Sequence, residues 1–91
     1  MKITSIKITP FDTGTRGGKI RAVADVEFDN VLMIKGIRIL EGSSGGLFLG
    51  MPSVRRRDGT YRDMVVLTEK TFSDDFRRQI IEAYSNYDRL D

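Results

Sequence analysis

Hydrophobic and polar residues alternate most clearly between residues 19 and 28. One set of alternate positions is apolar and comprises Ile20, Ala22, Ala24, Val26 and Phe28. The intervening set includes Lys19, Arg21, Asp25 and Glu27. Because successive side chains of a β-strand point to opposite faces of its sheet, this pattern predicts an antiparallel strand with one buried face and one charged, solvated face.

Other segments also have strand character. Residues 2–9 are rich in β-branched side chains, which favour extended backbone. Residues 31–41 begin apolar on both faces, which would suit a dimer interface, and the interior Gly36 predicts a bulge or a bend that divides this run. Short strands over 47–49 and 61–67 complete a predicted antiparallel sheet of about four to five strands.

Turn residues separate these strands. Proline and glycines predict a loop over residues 10–18, and the glycine and serine residues of 42–46 predict another. Asp-Asn at 29–30 and Asp-Gly at 58–59 predict tight hairpins, because these residues tolerate the left-handed backbone that such turns require.

The hydrophobic period changes near the C-terminus. Apolar residues recur there at spacings of three and four, at Phe76, Ile80, Ala83, Tyr84 and Tyr87. This spacing predicts an amphipathic helix over 74–88 whose aromatic stripe packs on the sheet. Ser73 is the predicted N-cap, with Asp74 and Asp75 in the first turn. We therefore expect a single α+β domain over 1–91, with the sheet within 1–68 and the C-terminal helix region at 73–89.

The composition narrows the function. With 91 residues, 40% hydrophobic and 31% charged, the chain matches one small globular domain and neither a disordered nor a membrane protein. It has no histidine and no cysteine, which removes imidazole bases, thiolate nucleophiles, disulfides and the commonest metal ligands. We expect a protein that is not an enzyme and has no catalytic residues, metal, cofactor or small-molecule substrate.

Location and assembly follow from length and hydropathy. No apolar stretch reaches the roughly 18 to 20 residues of a membrane span, and no apolar signal-peptide region follows Met1. We therefore expect a cytoplasmic protein without membrane contact. A monomer of this size buries only about 60% of the surface of its unfolded chain, which favours a homodimer that extends the core.

Arginines form the densest charge cluster of the chain. The net charge is only +2, but ten of the fifteen cations are arginine, and residues 55–62 hold four of them against one aspartate. These arginines are Arg55, Arg56, Arg57 and Arg62. The guanidinium fork matches phosphate geometry, and Tyr61 adds a ring that could stack on an unpaired base. The alternative is a solvated turn whose arginines aid solubility or pair with nearby carboxylates.

Charge is also polarised along the chain. The first 23 residues carry five cations against one acid, whereas residues 69–91 carry four cations against six acids. If the first hairpin lay beside the arginine turn, the two would form one positive surface. Arg77 and Arg78 could extend that surface, but we expect them to pair with helix carboxylates three or four residues away.

Two other patterns, a glycine-rich segment and pairs of carboxylates, do not indicate binding or catalytic sites. The glycine-rich segment 42–46 lacks the Gly-Lys-Ser/Thr and the following helix of a phosphate-binding loop, so we interpret it as a turn. The carboxylate pairs Asp58 with Asp63 and Asp25 with Glu27 could hold magnesium or transfer protons in principle. Alternation instead places them on ordinary charged strand faces, so they are not assigned a site.

Three motifs are specific: Gly-Ile-Arg-Ile-Leu-Glu-Gly at 36–42, Gly-Leu-Phe-Leu-Gly-Met-Pro-Ser at 46–53 and Asp-Gly-Thr-Tyr-Arg-Asp at 58–63. Together they resemble the stage V sporulation protein G family, also called septation protein SpoVG. The resemblance covers nearly the whole chain, from the Ile-Arg-Ala-Val-Ala segment at 20–24 to the helix segment Ile-Ile-Glu-Ala-Tyr at 80–84.

The resemblance implies a bacterial homodimer with a small antiparallel sheet and a C-terminal helix. Such proteins bind DNA, and RNA in some members, and regulate gene expression, septation and sporulation. The family's nucleic-acid contacts follow Met-Pro-Ser, which here implies Arg55, Arg56, Arg57 and Arg62; members usually carry a lysine where this chain has Val54. The alternative is a protein-interaction module of the division or sporulation machinery whose arginine hairpin docks on an acidic protein face.

Overall fold

A four-stranded antiparallel sheet, a separate two-stranded hairpin and one helix make up the fold, in a computed structural model that describes residues 1–10 and 19–89. The sheet has the order β1-β2-β3-β4, with β1 at Ile3–Pro10, β2 at Ile20–Phe28, β3 at Leu32–Glu41 and β4 at Leu47–Gly50. The hairpin pairs β5 at Ser53–Arg55 with β6 at Tyr61–Asp63, and α1 spans Lys70–Arg89. The predicted α+β class and antiparallel sheet are confirmed; most of the predicted first loop, residues 11–18, lies outside the described residues.

The core lies between one face of the sheet and the helix. Its fully buried residues are Ala22, Ala24, Val26 and Phe28 of β2, Ile37 and Ile39 of β3, and Phe76 and Ile80 of α1. The rings of Phe28 and Phe76 stack with centroids 5.8 Å apart. Full burial of a side chain such as Phe or Ile contributes roughly 1.5–3 kcal/mol, so this contact fixes the helix on the sheet. The alternation predicted for β2 is confirmed from Ala22 onward.

Ile20 departs from that alternation. The β2–β3 register shifts between Ile20 and Ala22, so that Ile20 pairs with Leu40 while Ala22 pairs with Ile39. Directly opposed residues share a face of the sheet, which places Ile20 beside Leu40 on the face away from Ile39. Both residues are half-buried and lie outside the core cluster. The prediction that Ile20 belongs to the buried face is therefore wrong, because a bulge at Arg21 reverses the alternation.

The turn and bulge between β2 and β3 match the sequence. Asp29 and Asn30 have φ values of 53° and 55°, and the N–H of Val31 donates to the carbonyl of Phe28 at 2.9 Å. Gly36 has φ of 81° at a register shift, and its N–H donates to the Asp25 carboxylate at 3.1 Å. The predicted irregularity is therefore a bulge within one continuous strand.

The helix begins at Lys70, before the predicted N-cap. The carboxylate of Glu69 accepts hydrogen bonds from the N–H groups of Thr71 at 2.9 Å and Phe72 at 2.7 Å, so Glu69 caps the helix. The N–H of Ser73 already donates to the Glu69 carbonyl at 2.9 Å, as within a helix. The predicted cap at Ser73, and the placement of acidic residues in the first turn, are therefore wrong.

The strand predicted over 61–67 is shorter than expected. Its last ladder bond runs from the N–H of Met64 to the carbonyl of Pro52 at 2.7 Å, and β6 itself ends at Asp63. Pro52 has no N–H to continue the ladder, so the chain leaves the hairpin there. Leu67 instead packs against the core. In the part of the chain that the structure describes, no helix is long and apolar enough to cross a membrane.

Candidate functional site

The candidate site is the β5–β6 hairpin, which carries all five residues predicted to contact nucleic acid. Its paired positions are Ser53 with Asp63, Val54 with Arg62, and Arg55 with Tyr61. It forms a sheet of its own, separate from the four-stranded sheet. These three residue pairs and the turn between them form an arm, residues 53–63. The Ser53 side chain is half-buried, and the other five paired side chains are exposed.

A tight turn closes the arm. The N–H of Arg56 donates to the carbonyl of Thr60 at 2.7 Å, and the N–H of Gly59 donates to the carbonyl of Arg56 at 3.0 Å. Gly59 has φ of 90°, a conformation that side-chain-bearing residues rarely adopt. The Asp-Gly sequence thus forms the predicted hairpin turn and places Arg57 at its tip.

Asp58 stabilises this turn. Its carboxylate accepts hydrogen bonds from the hydroxyl of Thr60 at 2.6 Å and from the Thr60 N–H at 3.0 Å. These bonds, the hydroxyl first, hold the pKa of Asp58 below its ordinary range. Asp58 is therefore an anion with a structural role within the turn.

The two faces of the arm differ in chemistry. Opposed residues share a face, so Arg55 and Tyr61 lie on one face and Val54 and Arg62 on the other. Tyr61 is 68% exposed and Val54 is 47% exposed. A cation therefore accompanies an exposed ring on one face and an exposed aliphatic side chain on the other.

The arginines of the arm differ in their pairing from Arg21, Lys70 and Arg78. Within the described residues, Arg55, Arg56, Arg57 and Arg62 form no salt bridge. By contrast, Arg21 contacts Glu41 at 2.6 Å and Lys70 contacts Asp74 at 2.8 Å. The arm thus concentrates cationic groups that have donors available for an external anion.

The helix arginines behave differently from each other. Arg78 pairs with Asp75, and with Glu82 at 3.1 Å, as predicted from helical spacing. Arg77 makes no salt bridge with any residue that the structure describes, so the prediction of pairing is wrong for this residue. It lines a cavity of about 250 Å³ between β4, the segment after β6 and the helix.

One contact anchors the arm to the sheet. Nη2 of Arg38, on β3, donates to the carbonyl of Met51 at 3.0 Å, two residues before β5 begins. Gly50 lies opposite Arg38 in the β3–β4 register, and a Cβ at Gly50 would lie 2.7 Å from that Nη2. Glycine therefore leaves the space that the guanidinium occupies. Sequence reasoning missed both residues, because their apposition depends on the strand register.

The first strand lies at the far edge of the sheet from β4, the strand that leads into the arm. The cations of β1 therefore lie on the opposite edge of the sheet from the strand that leads into the arm. Arg21 of β2 is already paired with Glu41. The positive surface that would join the first hairpin to the arginine turn is not supported by this strand order, and Arg16 lies outside the described residues.

Comparison with known proteins gives a consistent match over most of the chain. The SpoVG family profile matches residues 1–86. A protein of Borreliella burgdorferi is 39% identical over 80 residues, which cover 88% of this chain and 77% of the relative. A relative from an Exiguobacterium species is 35% identical, over 97% of this chain and 85% of its own, and one from Staphylococcus aureus is 33% identical, over 100% and 84%. All three relatives carry the name septation protein SpoVG.

Proposed function

Because the chain belongs to the SpoVG family, we propose that it is a cytoplasmic bacterial regulator that binds DNA, and RNA as well, in gene regulation linked to septation and sporulation. The observation that carries the proposal is the cluster of arginines on the β5–β6 arm that form no salt bridge within the described chain. The septation role follows the names of the relatives, and the binding role follows the chemistry of the arm.

Phosphate contacts provide the mechanism. A guanidinium donates two parallel hydrogen bonds to a phosphate, and each neutralised phosphate releases condensed counterions. Arg55, Arg56 and Arg57 are consecutive and exposed, so their side chains project in different directions from one turn. Arg62 adds a fourth cation on the stem. The arm therefore presents several donors to successive phosphates of a polyanion without first breaking an ion pair to any residue that the structure describes.

We also propose that the protein acts as a homodimer. Val31, Leu32 and Met33 are exposed at the end of the β2–β3 hairpin, with Val31 at 85%. The outer strands β1 and β4 of the sheet offer backbone groups to a second copy. Two arms on one dimer would bind one nucleic acid together. Light scattering after size exclusion should give the mass of two chains, and a stable monomer at micromolar concentration would contradict this proposal.

A charge-matched comparison tests the binding role. Arg55, Arg56 and Arg57 are replaced together by alanine, and a control variant carries alanine at three exposed lysines, Lys2, Lys35 and Lys70, which lie outside the arm. Both variants lose three positive charges, but only the first loses arm contacts. Affinity for DNA and RNA oligonucleotides should fall at least tenfold more in the arginine variant. An equal loss in both variants would show that net charge, not the arm, causes binding.

The alternative function, a protein-interaction module without direct nucleic-acid binding, uses the same arginines and differs in the partner. A pull-down from cell extract before and after nuclease treatment separates the two. We expect that partners captured through the arm are released when nucleic acid is digested. Partners that survive digestion and depend on Arg55, Arg56 and Arg57 would favour an acidic protein face instead.

A further inference from the structure

Tyr61 is the aromatic residue of the arm, and its ring has no role in the core. The aromatic cluster of the core consists of Phe28, Phe72 and Phe76, whose ring centroids lie 5.8 to 6.3 Å apart. Tyr61 is 68% exposed on a two-stranded hairpin. The apolar face of this exposed ring is therefore accessible to a ligand.

One arginine shares the face of the arm that carries this ring. Arg55 is directly opposite Tyr61 on the same face, and its Nη2 lies 4.0 Å from the position of a Cβ at Gly59. The Arg55 guanidinium therefore extends along the outer part of the arm towards the turn. Asp63 lies on the same face but at the base of the arm, where it would repel a phosphate. The favourable surface for an anion is thus confined to the outer part, around Tyr61 and the turn.

This arrangement distinguishes unpaired nucleic acid from duplex. A two-stranded ribbon can enter the major groove, but there it meets only the edges of bases, because their faces are stacked on each other. An unpaired base presents its face, on which an aromatic ring stacks with little dependence on sequence. A duplex can therefore use the arginines of the arm, whereas only an unpaired base can also use the ring.

We infer that the β5–β6 arm recognises unpaired nucleic acid, with a base stacked on Tyr61 and the flanking phosphates held by Arg55 and the arginines of the turn. This inference rests on the proposed function and names the form of nucleic acid that the same site selects. DNA and RNA single strands share this chemistry, so the ligand is any strand that can present an unpaired base.

The test compares Tyr61→Ala, Tyr61→Phe and the triple arginine variant on three probes at one salt concentration. The probes are a short unstructured DNA strand, an RNA strand of the same sequence and the corresponding DNA duplex. Tyr61→Ala should weaken binding to the single strands by about 5- to 150-fold and to the duplex by less than about twofold. Tyr61→Phe retains the ring and should bind all three probes as the wild type does. The urea midpoints should stay unchanged in both, since the side chain is exposed.

Fluorescence gives an independent readout. The chain has no tryptophan and three tyrosines, so stacking on Tyr61 should quench tyrosine emission when a single strand binds, and Tyr61→Phe should abolish that quenching. Comparison of DNA with RNA then identifies the better strand. The inference would be overturned if Tyr61→Ala bound single strands as tightly as the wild type, or lost equal affinity for single strand and duplex. Binding that depends on the arginines would persist in either case. Failure of the wild type to bind any probe would overturn the proposed function itself.

Discussion

Gly50→Ala should destabilise the protein only while Arg38 is present. A Cβ at Gly50 would lie 2.7 Å from Nη2 and 2.8 Å from Cζ of Arg38, and 3.0 Å from Cδ1 of Leu40. Non-bonded heavy atoms ordinarily approach to about 3.5–4.0 Å, so the guanidinium must move by roughly 1 Å. That displacement breaks the 3.0 Å hydrogen bond to the carbonyl of Met51, which anchors the arm.

The expected magnitude combines two opposing effects. A hydrogen bond from a charged donor contributes about 1.5–3 kcal/mol to stability, and this one is only partly buried, which favours the lower end. Gly50 does not have a positive φ, so alanine there also restricts the unfolded chain and stabilises by about 0.4–1 kcal/mol. Gly50→Ala should therefore cost about 1 kcal/mol in the wild type. In an Arg38→Ala background the bond is already absent, and the remaining close contact is with Cδ1 of Leu40, the end of a flexible side chain that can move aside. The same change should then stabilise by about 0.5 kcal/mol.

Urea unfolding of the wild type, both single variants and the double variant gives the coupling free energy. We expect a coupling of about 1.5 kcal/mol and a change of sign in the effect of Gly50→Ala between the two backgrounds. The slopes of the transitions should agree, so that the midpoints report stability. The same cost for Gly50→Ala with and without Arg38 would refute the proposed contact.

The remaining predictions concern the helix cap, the core and the β3 bulge. Glu69→Ala should lower the urea midpoint at pH 7, whereas Ser73→Ala should not. Hydrogen bonds from the backbone N–H groups of Phe72 and Thr71 lower the folded-state pKa of Glu69 below its ordinary 4.5. The stability that the Glu69 cap adds to the fold is therefore present above pH 4.5 and should be lost as the pH falls through the folded-state pKa. Urea midpoints measured from neutral to acid pH test this. Phe76→Ala, at a fully buried position, should cost about 3–5 kcal/mol by calorimetry. Gly36→Ala should cost about 1–2 kcal/mol in urea, since its φ is 81°, while the open Gly46→Ala should be nearly neutral.

Sequence patterns predict the structure correctly where it depends on the backbone conformation of a few consecutive residues. The alternation from Ala22 to Phe28, the left-handed turn at Asp29 and Asn30, and the bulge at Gly36 were all readable from the sequence. Each depends on the conformation of a few consecutive residues. The position of the arginines on a hairpin followed in the same way from the turn that Gly59 closes.

The errors came from interactions between distant or competing groups. Serine is a common cap, so the sequence favours a helix start at Ser73, but the side chain of Glu69 accepts hydrogen bonds from two N–H groups earlier in the chain. A helix that begins at Ser73 excludes Phe72, which packs against the core four residues before Phe76. The contact of Arg38 with Met51 depends on strand register, which periodicity alone does not provide.

The dependence of binding on salt tests most directly the claim that the arginines of the arm contact phosphates. The logarithm of the association constant is measured against the logarithm of the salt concentration, for the wild type and for the variant with alanine at Arg55, Arg56 and Arg57. Each lost contact reduces the slope by about 0.7 for a single strand and 0.9 for a duplex, so the variant should have a slope smaller by roughly two to three units. An unchanged slope would contradict the account, even if the affinity fell.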